Sequence, residues 1–398
     1  ARHVLRAAGC GDRACSGRPI EEIDGTLLDV LRLGSYQLLR TRVAPHAAVA
    51  TSVDLVRAEN GQGRAGFVNA VLRRVSERTQ EEWVELLAPK DPVGRLAFEH
   101  AHPLWIAQVF ADSLGAAAGE LEDVLIADDA RPAVHLVARP GEISAEELAL
   151  VTGGEIGPYS PYAVHLDGGD PPGQLEAVRQ GLAGVQDEGS QLVARALSIA
   201  PLEGEDSGRW LDLCAGPGGK AALLGALAGI EGGRLDAVEP VEHRAELIRK
   251  TTRELPVDVH VADGRESGLE PGYDRILVDA PCTGLGALRR RPEARWRRQP
   301  SDVAPLVKLQ RELLAAAIEL VRPRRSGAVL HVLAALVGNA GSGRRCGAAS
   351  WRLGTRHQGI GARCPGRRRR IVGSVVAAST RHGRYVHGRF AQAAGLIP

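Results

Sequence analysis

The sequence lacks methionine, paired cysteines and any long apolar run. No stretch approaches the roughly 18 apolar residues that a membrane helix requires, and the first residues show no continuous apolar segment typical of a signal peptide. These absences favour a soluble, cytoplasmic protein that has no membrane partner. We expect a monomer, although no feature of the sequence indicates the oligomeric state. The six cysteines have neither the short paired spacings of a zinc site nor the density of a disulfide scaffold, so we expect reduced thiols and no metal. Because Met is missing even at position 1, we expect the chain to begin inside a longer reading frame.

Acidic residues are absent from the last part of the chain. Glu319 is the last of them, and residues 322–398 contain fifteen Arg, no Lys, no Asp and no Glu. The other 35 basic residues lie in 1–321 with all 48 acidic ones, which gives that part a net charge of −13. Such a break in composition calls for an explanation.

Hydrophobic spacing divides the chain into four parts. Residues 1–80 contain apolar positions at helical spacing, such as Leu27, Leu28 and Leu31, and predict a helical module. Residues 81–190 continue with helix and then change to short β-type runs bounded by Gly and Pro, which indicates a small α+β domain. Residues 191–332 alternate strand and helix, and 333–398 form an Arg/Gly-rich tail. The helical module is either a packing domain or an RNA-docking domain, and the second reading is favoured by Arg40, Arg42, Arg73 and Arg74.

The alternation in residues 208–330 predicts a doubly wound parallel sheet, an α/β Rossmann-like fold. "RWLDLCAG", "RLDAVEP", "VDVHVADGRE" and "YDRILVDAPC" read as its strands, and helical segments separate them. In such a sheet the ligand binds at the carboxyl ends of the strands.

A glycine loop, "LDLCAGPGGK" (211–220), follows the first of these strands. It matches neither the dinucleotide fingerprint nor a P-loop. The next three strands end in Glu239, Asp263 and Asp279. One glycine loop with acids at three successive strand ends suits an adenosine without a pyrophosphate, and S-adenosylmethionine fits that description. The alternative is that these acids only cap the helices that follow them.

A cysteine lies directly beside this predicted site, because Cys282 follows Pro281 at the end of the Asp279 strand. A lone cysteine is more often a small buried hydrophobe, but a thiolate at a catalytic strand end can attack C6 of a pyrimidine, which makes C5 nucleophilic. The segment "RRRPEARWRR" (289–298) then offers phosphate contacts, and Trp296 can stack on a base. The alternatives are a solvated charged face and a packed Trp.

These motifs together resemble those of the Sun/Fmu family of RNA cytosine-C5 methyltransferases, the bacterial RsmB type. The resemblance rests on "VQDEGSQLVA", "LDLCAGPGGK", "ADGRE" and "DAPCTGLGALRRRPEARW" and covers about residues 20–330. It implies an N-terminal NusB-like RNA-binding domain, a small intermediate domain and a Rossmann-like methyltransferase domain.

The resemblance also implies roles for individual residues. Cofactor binding by S-adenosylmethionine would fall to Cys214, Ala215, Gly216, Pro217, Gly218, Gly219, Lys220, Glu239, Asp263 and Asp279. Cys282 is similar to the family's second cysteine, which helps to release the product, while Asp279 orients the cytosine ring. RNA contacts are expected from Arg289, Arg290, Arg291, Arg295 and Trp296.

The family's nucleophile lies in a later Thr-Cys-Ser-Pro motif, which this sequence does not contain. The strand at 326–332 is roughly where that motif begins, and the remaining cysteines, Cys346 and Cys364, lie in Arg/Gly-rich surroundings. Codons for the residues from His331 onward, read one base later, can encode Thr-Cys-Ser-Pro and an acidic, helix-forming continuation. We therefore predict that the tail from about 325–333 onward is frameshifted. The alternative is a natural basic, disordered RNA-binding tail.

The sequence thus predicts an RNA cytosine-C5 methyltransferase that acts on small-subunit ribosomal RNA, with its nucleophile missing from the chain as written. A frameshift would remove the last strands of the sheet and leave an exposed edge. A second hypothesis is a non-catalytic RNA-binding protein that keeps the methyltransferase fold. A third, a methyltransferase acting at a base nitrogen, is disfavoured because such enzymes use an Asn/Asp-Pro-Pro-aromatic turn and this chain has Asp-Ala-Pro-Cys.

Overall fold

The computed structural model describes residues 22–60, 62–168, 171–202, 205–322, 329–333, 348–354, 370–378 and 385–387. The chain divides into two compact units, Ala1–Asp129 and Ala130–Pro398. The boundaries predicted at residues 80, 190 and 332 remain predictions.

The first unit is helical throughout its described residues. Its helices are α1 (Gly25–Arg40), α2 (Pro45–Asn60), α3 (Gln62–Val75), α4 (Gln80–Leu87), α5 (Pro92–Glu99), α6 (Leu104–Leu114) and α7 (Leu121–Asp129), with a 3-10 turn at Gly115–Glu120. Polar caps start several of them. The Asp24 side chain accepts from Thr26 N, and Thr79 and Glu82 form a reciprocal capping box at α4.

Apolar side chains from α1, α2 and α3 form the main core of this unit, with Leu31, Val56 and Leu72 at 1% exposure or less. Trp83 joins α4 to this core, because its indole Nε1 donates to Val75 O at 3.0 Å. The helical module predicted from the spacing of the leucines is therefore present.

The second unit begins with a small four-stranded sheet. Its elements are β1 (Val134–Ala138), α8 (Ala145–Thr152), β2 (Glu155–Ile156), β3 (Ala163–Leu166), α9 (Glu176–Arg179) and β4 (Ala183–Val185). The strands are antiparallel in the order β2-β3-β1-β4. This βαββαβ arrangement is the ferredoxin-like topology, and it matches the α+β domain predicted for this region. One face of the sheet packs on α8 and α9 through Leu136, Leu148 and Val164.

A larger parallel sheet follows, and its described strands are ordered β7-β6-β5-β8-β9. Its elements are α10 (Glu188–Ser198), β5 (Arg209–Asp212), α11 (Gly219–Ile230), β6 (Arg234–Val238), α12 (Glu242–Thr252), β7 (Val257–His260), β8 (Arg275–Asp279), α13 (Ala294–Arg297), α14 (Val303–Leu320) and β9 (Val329–Leu333). All four strand pairs are parallel. The predicted Rossmann-like fold is confirmed, and the strand expected at 326–332 is observed as β9.

The described residues after β9 form three strands, β10 (Ala348–Gly354), β11 (Arg370–Ala378) and β12 (Tyr385–His387), which pair in a separate antiparallel sheet. Cys346 and Cys364, together with most of the stretch predicted to be frameshifted, lie outside the described residues. Within the described part of the chain, no helix is both long enough and apolar enough to span a membrane.

A buried arginine connects the parallel sheet to α10. Arg275, at the start of β8, is 7% exposed. Its Nη1 donates to Leu197 O at 2.6 Å and to Ala200 O at 2.7 Å, and its Nε donates to Asp206 Oδ2 at 2.7 Å. The guanidinium therefore donates to carbonyls at and just beyond the C-terminal end of α10, where the last carbonyls have no partner within the regular helix.

We expect Arg275→Met to lower the free energy of unfolding by about 3–5 kcal/mol, because it removes the buried cation that pairs with the Asp206 carboxylate and donates to two backbone carbonyls. The exposed Arg234, at the start of β6, provides the control, and Arg234→Met should change the free energy by less than about 0.5 kcal/mol. Urea denaturation of both variants measures the difference. Equal losses would show that the buried contacts of Arg275 do not stabilise the fold.

Candidate active site

The glycine loop connects β5 to α11 at the carboxyl edge of the parallel sheet. It contains a cis peptide bond between Gly216 and Pro217, and Gly218 has a φ of 112°. A Cβ atom on Gly218 would lie 3.1 Å from the Cα of Ile248, in α12. Position 218 therefore requires glycine for two reasons, the backbone conformation and the close approach of α12.

Glu239 lies against this loop from the end of β6 and is 2% exposed. Its Oε1 accepts from Val241 N at 3.1 Å, and its Oε2 lies 3.4 Å from Arg244 Nη1. Arg244 also donates to Gly216 O at 2.8 Å. A Cβ on Gly216 would lie 2.1 Å from Glu239 Oε2, so this glycine allows the carboxylate to approach the loop.

Asp263 follows β7, and its carboxylate binds Arg265. The Arg265 backbone N donates to Oδ1 at 2.9 Å, and the guanidinium donates through Nη2 to Oδ2 at 2.6 Å. These bonds lower the pKa of Asp263 to about 2. Arg265 also pairs with Glu312 of α14 at 3.0 Å. Asp263 is therefore ionised at neutral pH and held at the edge of the sheet.

The end of β8 and the start of α11 are joined by an ion pair. Lys220 Nζ donates to Asp279 Oδ2 at 2.6 Å, with side-chain exposures of 17% and 33%. Beside them lies Asp212, 1% exposed, whose Oδ2 has no hydrogen-bond partner. Burial and, next, the charge of Asp279 raise the pKa of Asp212 to about 7, and Lys220 opposes this shift.

The two cysteines of this region are both uncharged thiols at neutral pH. Burial raises the pKa of Cys214, and the acids Asp212, Asp279 and Glu239 raise it further. Burial is also the main cause that raises the pKa of Cys282, although the Gly284 backbone amide, Arg298 and Lys220 lower it.

A side chain of α14 binds the backbone of the turn that carries Cys282. Gln310, 3% exposed, donates from Nε2 to Pro281 O at 2.9 Å. The neighbouring Thr283 is 2% exposed, and its hydroxyl has no partner. The backbone around the thiol is thus held by a buried amide, whereas the thiol itself is partly accessible.

The predicted RNA-contacting residues have different environments. Arg290 Nη2 pairs with Asp187 Oδ1, the N-cap of α10, at 2.6 Å. Arg289 is half-buried, and Arg291 is exposed. Arg295 is only 4% exposed, and Trp296 is half-buried. In this structure Arg290 and Arg291 are therefore better placed than Arg295 to meet a phosphate.

The glycine loop opens into a cavity of about 760 Å³. Residues 214–217, Gly219, Lys220, Asp212 and Asp279 line one end of it. The remaining walls come from the small sheet, α12, Gln186–Asp187 and the 287–291 segment. Glu239, Asp263 and Cys282 do not line the cavity. Within the described residues, no group of His, Cys, Asp and Glu is arranged to hold a metal ion.

The structure therefore brings together the glycine loop, Glu239, Asp263, Asp279 and Cys282 at one edge of the sheet, as their strand-end positions predicted. Sequence reasoning missed Asp212, Arg244, Asp187 and Gln310. Asp212 had a signal, because it ends the same strand that precedes the loop. The other three contact the site only through tertiary packing.

The fold and the strand-end acids around a glycine loop define a Rossmann-like methyltransferase. Residues 197–336 match the family described as 16S rRNA methyltransferase RsmB/F, and residues 10–77 match the NusB family. The chain belongs to the RsmB/F family, which confirms the resemblance drawn from the motifs and the NusB-like nature of the N-terminal module.

Two relatives illustrate this membership, and one solved structure supports the fold. A Mycobacterium tuberculosis protein, provisionally named methyltransferase Rv1407, is 61% identical over 334 residues, which are 82% of this chain and 72% of that protein. The ribosomal RNA small subunit methyltransferase B of Cronobacter sakazakii is 34% identical over 316 residues, 77% of this chain and 70% of that one. The crystal structure of PH0851 has a TM-score of 0.66 at 22% identity, covers 84% of this chain and 74% of its own, and supports the fold.

We expect Gly218→Ala to cost roughly 1–3 kcal/mol of stability, because alanine is strained at a positive φ and its Cβ would press on α12. Gly219→Ala is the matched control. The nearest atom to a Cβ at position 219 is 3.7 Å away, and alanine favours the helix that begins there. Urea unfolding of both variants should separate them. A similar loss at both positions would contradict the requirement for glycine at position 218 alone.

A second expectation concerns pH. In the folded chain Asp212 keeps its proton up to about pH 7, whereas in the unfolded chain it loses the proton near pH 3.8. As the pH rises between these two values, this carboxyl therefore costs the folded state progressively more stability, and above them the cost stays constant. Asp212→Asn removes this cost. Its stability relative to the natural chain should rise by about 2 kcal/mol between roughly pH 5 and pH 8.

Urea unfolding at the two pH values measures this change. Glu266→Gln, at an exposed carboxylate, is the control and should show no such change. A difference between Asp212→Asn and the natural chain that is independent of pH would show that Asp212 is ionised throughout.

Proposed function

We propose that this protein is an S-adenosylmethionine-dependent RNA (cytosine-C5) methyltransferase that acts on small-subunit ribosomal RNA in the cytoplasm. The observation that carries the proposal is the Asp279-Ala-Pro-Cys282 turn. It leaves β8 at the carboxyl edge, where Asp279 pairs with Lys220 of the glycine loop. The printed names of the family and of the Cronobacter relative support ribosomal RNA as the substrate.

The residues around the loop fit S-adenosylmethionine. Glu239, buried beside Gly216, offers carboxylate oxygens for ribose hydroxyls, and Asp263 offers an acceptor for the adenine amino group. The unpartnered Asp212 Oδ2, with Asp279 and Lys220, provides charges of both signs for the amino-acid end. The loop matches neither the dinucleotide fingerprint nor the P-loop, the two glycine-rich loops that hold a pyrophosphate or a phosphate chain.

When bound, this cofactor supplies an electrophilic methyl group. Asp279 is then placed to hold the cytosine ring by its exocyclic amine, and Lys220 Nζ orients the Asp279 carboxylate by donating to its Oδ2. The Cys282 thiol is neutral in this structure, which does not suit the attacking group. We assign Cys282 to the release step. Its thiol would first give its proton to solvent, and the positive charges of Arg298 and Lys220 favour that loss. The thiolate would then take the proton from C5, and the bond between C6 and the attacking sulfur would break as the C5–C6 double bond re-forms.

The attack on C6 requires another cysteine. We propose that it belongs to the Thr-Cys-Ser-Pro sequence encoded one base out of frame at the His331 codon, directly after the first residues of β9. β9 pairs in parallel with β8, so the end of its backbone reaches the same edge of the sheet as Asp279. The chain as written would then bind the cofactor and RNA without completing the reaction.

The test compares two genes, one as written and one with a single base removed at the His331 codon. Each protein is incubated with methyl-labelled S-adenosylmethionine and a small-subunit ribosomal RNA transcript, and the digested RNA is analysed for 5-methylcytidine. We expect 5-methylcytidine from the restored frame and little or none from the chain as written. In the restored frame, Cys282→Ala should leave a covalent protein–RNA adduct on a denaturing gel, because the release step fails.

Robust methylation by the chain as written would contradict the missing nucleophile. A labelled product methylated at a base nitrogen would contradict attack through C6. If the restored protein neither methylates nor binds labelled S-adenosylmethionine, the proposed cofactor is wrong.

A further inference from the structure

The cavity beside the glycine loop extends well beyond the part that the proposed cofactor would use. Glu239 and Asp263, which would hold the adenosine, do not line it. One far wall is formed by β4 and the segment before it. The other is formed by the last residues of α12 and the two residues that follow the helix, Arg253 and Glu254. α12 passes the glycine loop at Ile248, whose Cα would lie 3.1 Å from a Cβ at Gly218, and the last turn of the helix continues the cavity wall beyond that point.

Positive charge dominates this extension. Apart from the Asp212, Lys220 and Asp279 cluster, the charged residues in its lining are six cations and two acids, Asp187 and Glu254. We call the extension the cationic groove, defined by Arg139, Arg179, Lys250, Arg253, Arg290 and Arg291. This excess of positive charge contrasts with the net charge of −13 over residues 1–321.

Several of these cations are available to a new anion. Arg179 pairs with Glu176 at 3.3 Å and Arg253 with Glu254 at 3.2 Å, both at well-exposed positions where such pairs are weak. Arg139 donates to Thr251 O at 3.1 Å, and burial lowers its pKa. Among the described residues no carboxylate forms an ion pair with Arg139, so an incoming phosphate would compensate a half-buried charge.

The face of the small sheet that ferredoxin-like RNA-binding domains use for stacking bases is already covered here. His135 of β1 and His165 of β3 stack at 4.0 Å on that face. His165 Nε2 lies 3.0 Å from Glu188 Oε2 of α10, and Gln191 of α10 donates to Leu136 O at 3.0 Å. The part of this domain that lines the groove is the edge strand β4. Among the described strands, β4 pairs with β1 and with no other.

We propose that the cationic groove binds the ribose-phosphate backbone of a single RNA strand that leads to the reacting nucleotide at Asp279. The strand would contact Arg290 and Arg291 at the catalytic end, then the β4 edge, and then the cations at the end of α12. This inference rests on the proposed function, because it assumes an RNA substrate. It adds a path for the RNA through the second unit and assigns phosphate contacts to Arg139, Lys250 and Arg253.

The first test introduces a negative charge into the groove wall. Val185, on β4, lines the groove and is 51% exposed, and Ile156, on the opposite edge strand β2, is also 51% exposed and does not line it. Val185→Glu and Ile156→Glu therefore change the charge equally at equivalent edge positions of one sheet. The full chain is titrated against a fluorescein-labelled, unstructured, cytidine-containing RNA, and binding is followed by anisotropy. We expect Val185→Glu to weaken binding several-fold and Ile156→Glu to leave it unchanged.

The second test counts phosphate contacts. Lys250→Gln with Arg253→Gln removes two groove cations. Arg249→Gln with Arg234→Gln removes two cations that do not line the groove, the half-buried Arg249 and the exposed Arg234. The slope of log K against log salt should become shallower by about 1.4 in the first double variant, at about 0.7 per lost contact, and should stay constant in the second. Unchanged thermal unfolding and unchanged binding of labelled S-adenosylmethionine confirm that both double variants are folded.

The outcomes separate this proposal from the proposed function. If the unmodified chain binds the RNA and all four variants bind with equal affinity and equal salt slope, the groove is not the RNA path, and the proposed function stands. If the unmodified chain binds S-adenosylmethionine but no RNA, both proposals are overturned. Selective loss in Val185→Glu and in the Lys250/Arg253 double variant supports the groove.

Discussion

The ion pair between Lys220 and Asp279 is the contact on which the site depends. The distance between Lys220 Nζ and Asp279 Oδ2 is 2.6 Å. The pair joins the first turn of α11 to the end of β8 and so connects the glycine loop to the cysteine turn. It also offsets the charge of Asp279 beside the buried Asp212, whose pKa is already raised to about 7 by burial and by that charge. Without the ammonium group, two carboxylates would face each other in a poorly solvated site.

The remaining structure positions this edge. Arg275 connects the start of β8 to the C-terminal end of α10, and the N-terminal end of α10 carries Asp187, which pairs with Arg290 beyond the cysteine turn. Both ends of one helix therefore contact the β8 strand or the segment after it. The same helix covers the stacking face of the small sheet through Glu188 and Gln191. The small domain thus supports the catalytic loop and contributes an edge, not a face, to the cavity.

The alternation of strands and helices was sufficient to predict the parallel sheet, because strands buried on both faces and amphipathic helices have different periodicities. The order of the strands was not predicted in detail, yet the convergence of Glu239, Asp263 and Asp279 was, since the carboxyl ends of parallel strands share one edge. Arg244, Asp187 and Gln310 could not have been found this way. Each binds a residue that lies 28 or more positions away in the sequence, namely Gly216, Arg290 and Pro281, respectively.

By itself the sequence determined the local chemistry: the glycines at 216 and 218, the acids at strand ends, the Asp-Ala-Pro-Cys turn and the loss of acidic residues after Glu319. These are properties of neighbouring residues or of composition. Only the tertiary structure decided that Asp212 is buried with its Oδ2 unpartnered, that Cys282 is a neutral thiol, that Arg295 is buried, and that six distant cations line one groove. Burial and electrostatic environment depend on which elements pack together, and sequence spacing does not encode that packing.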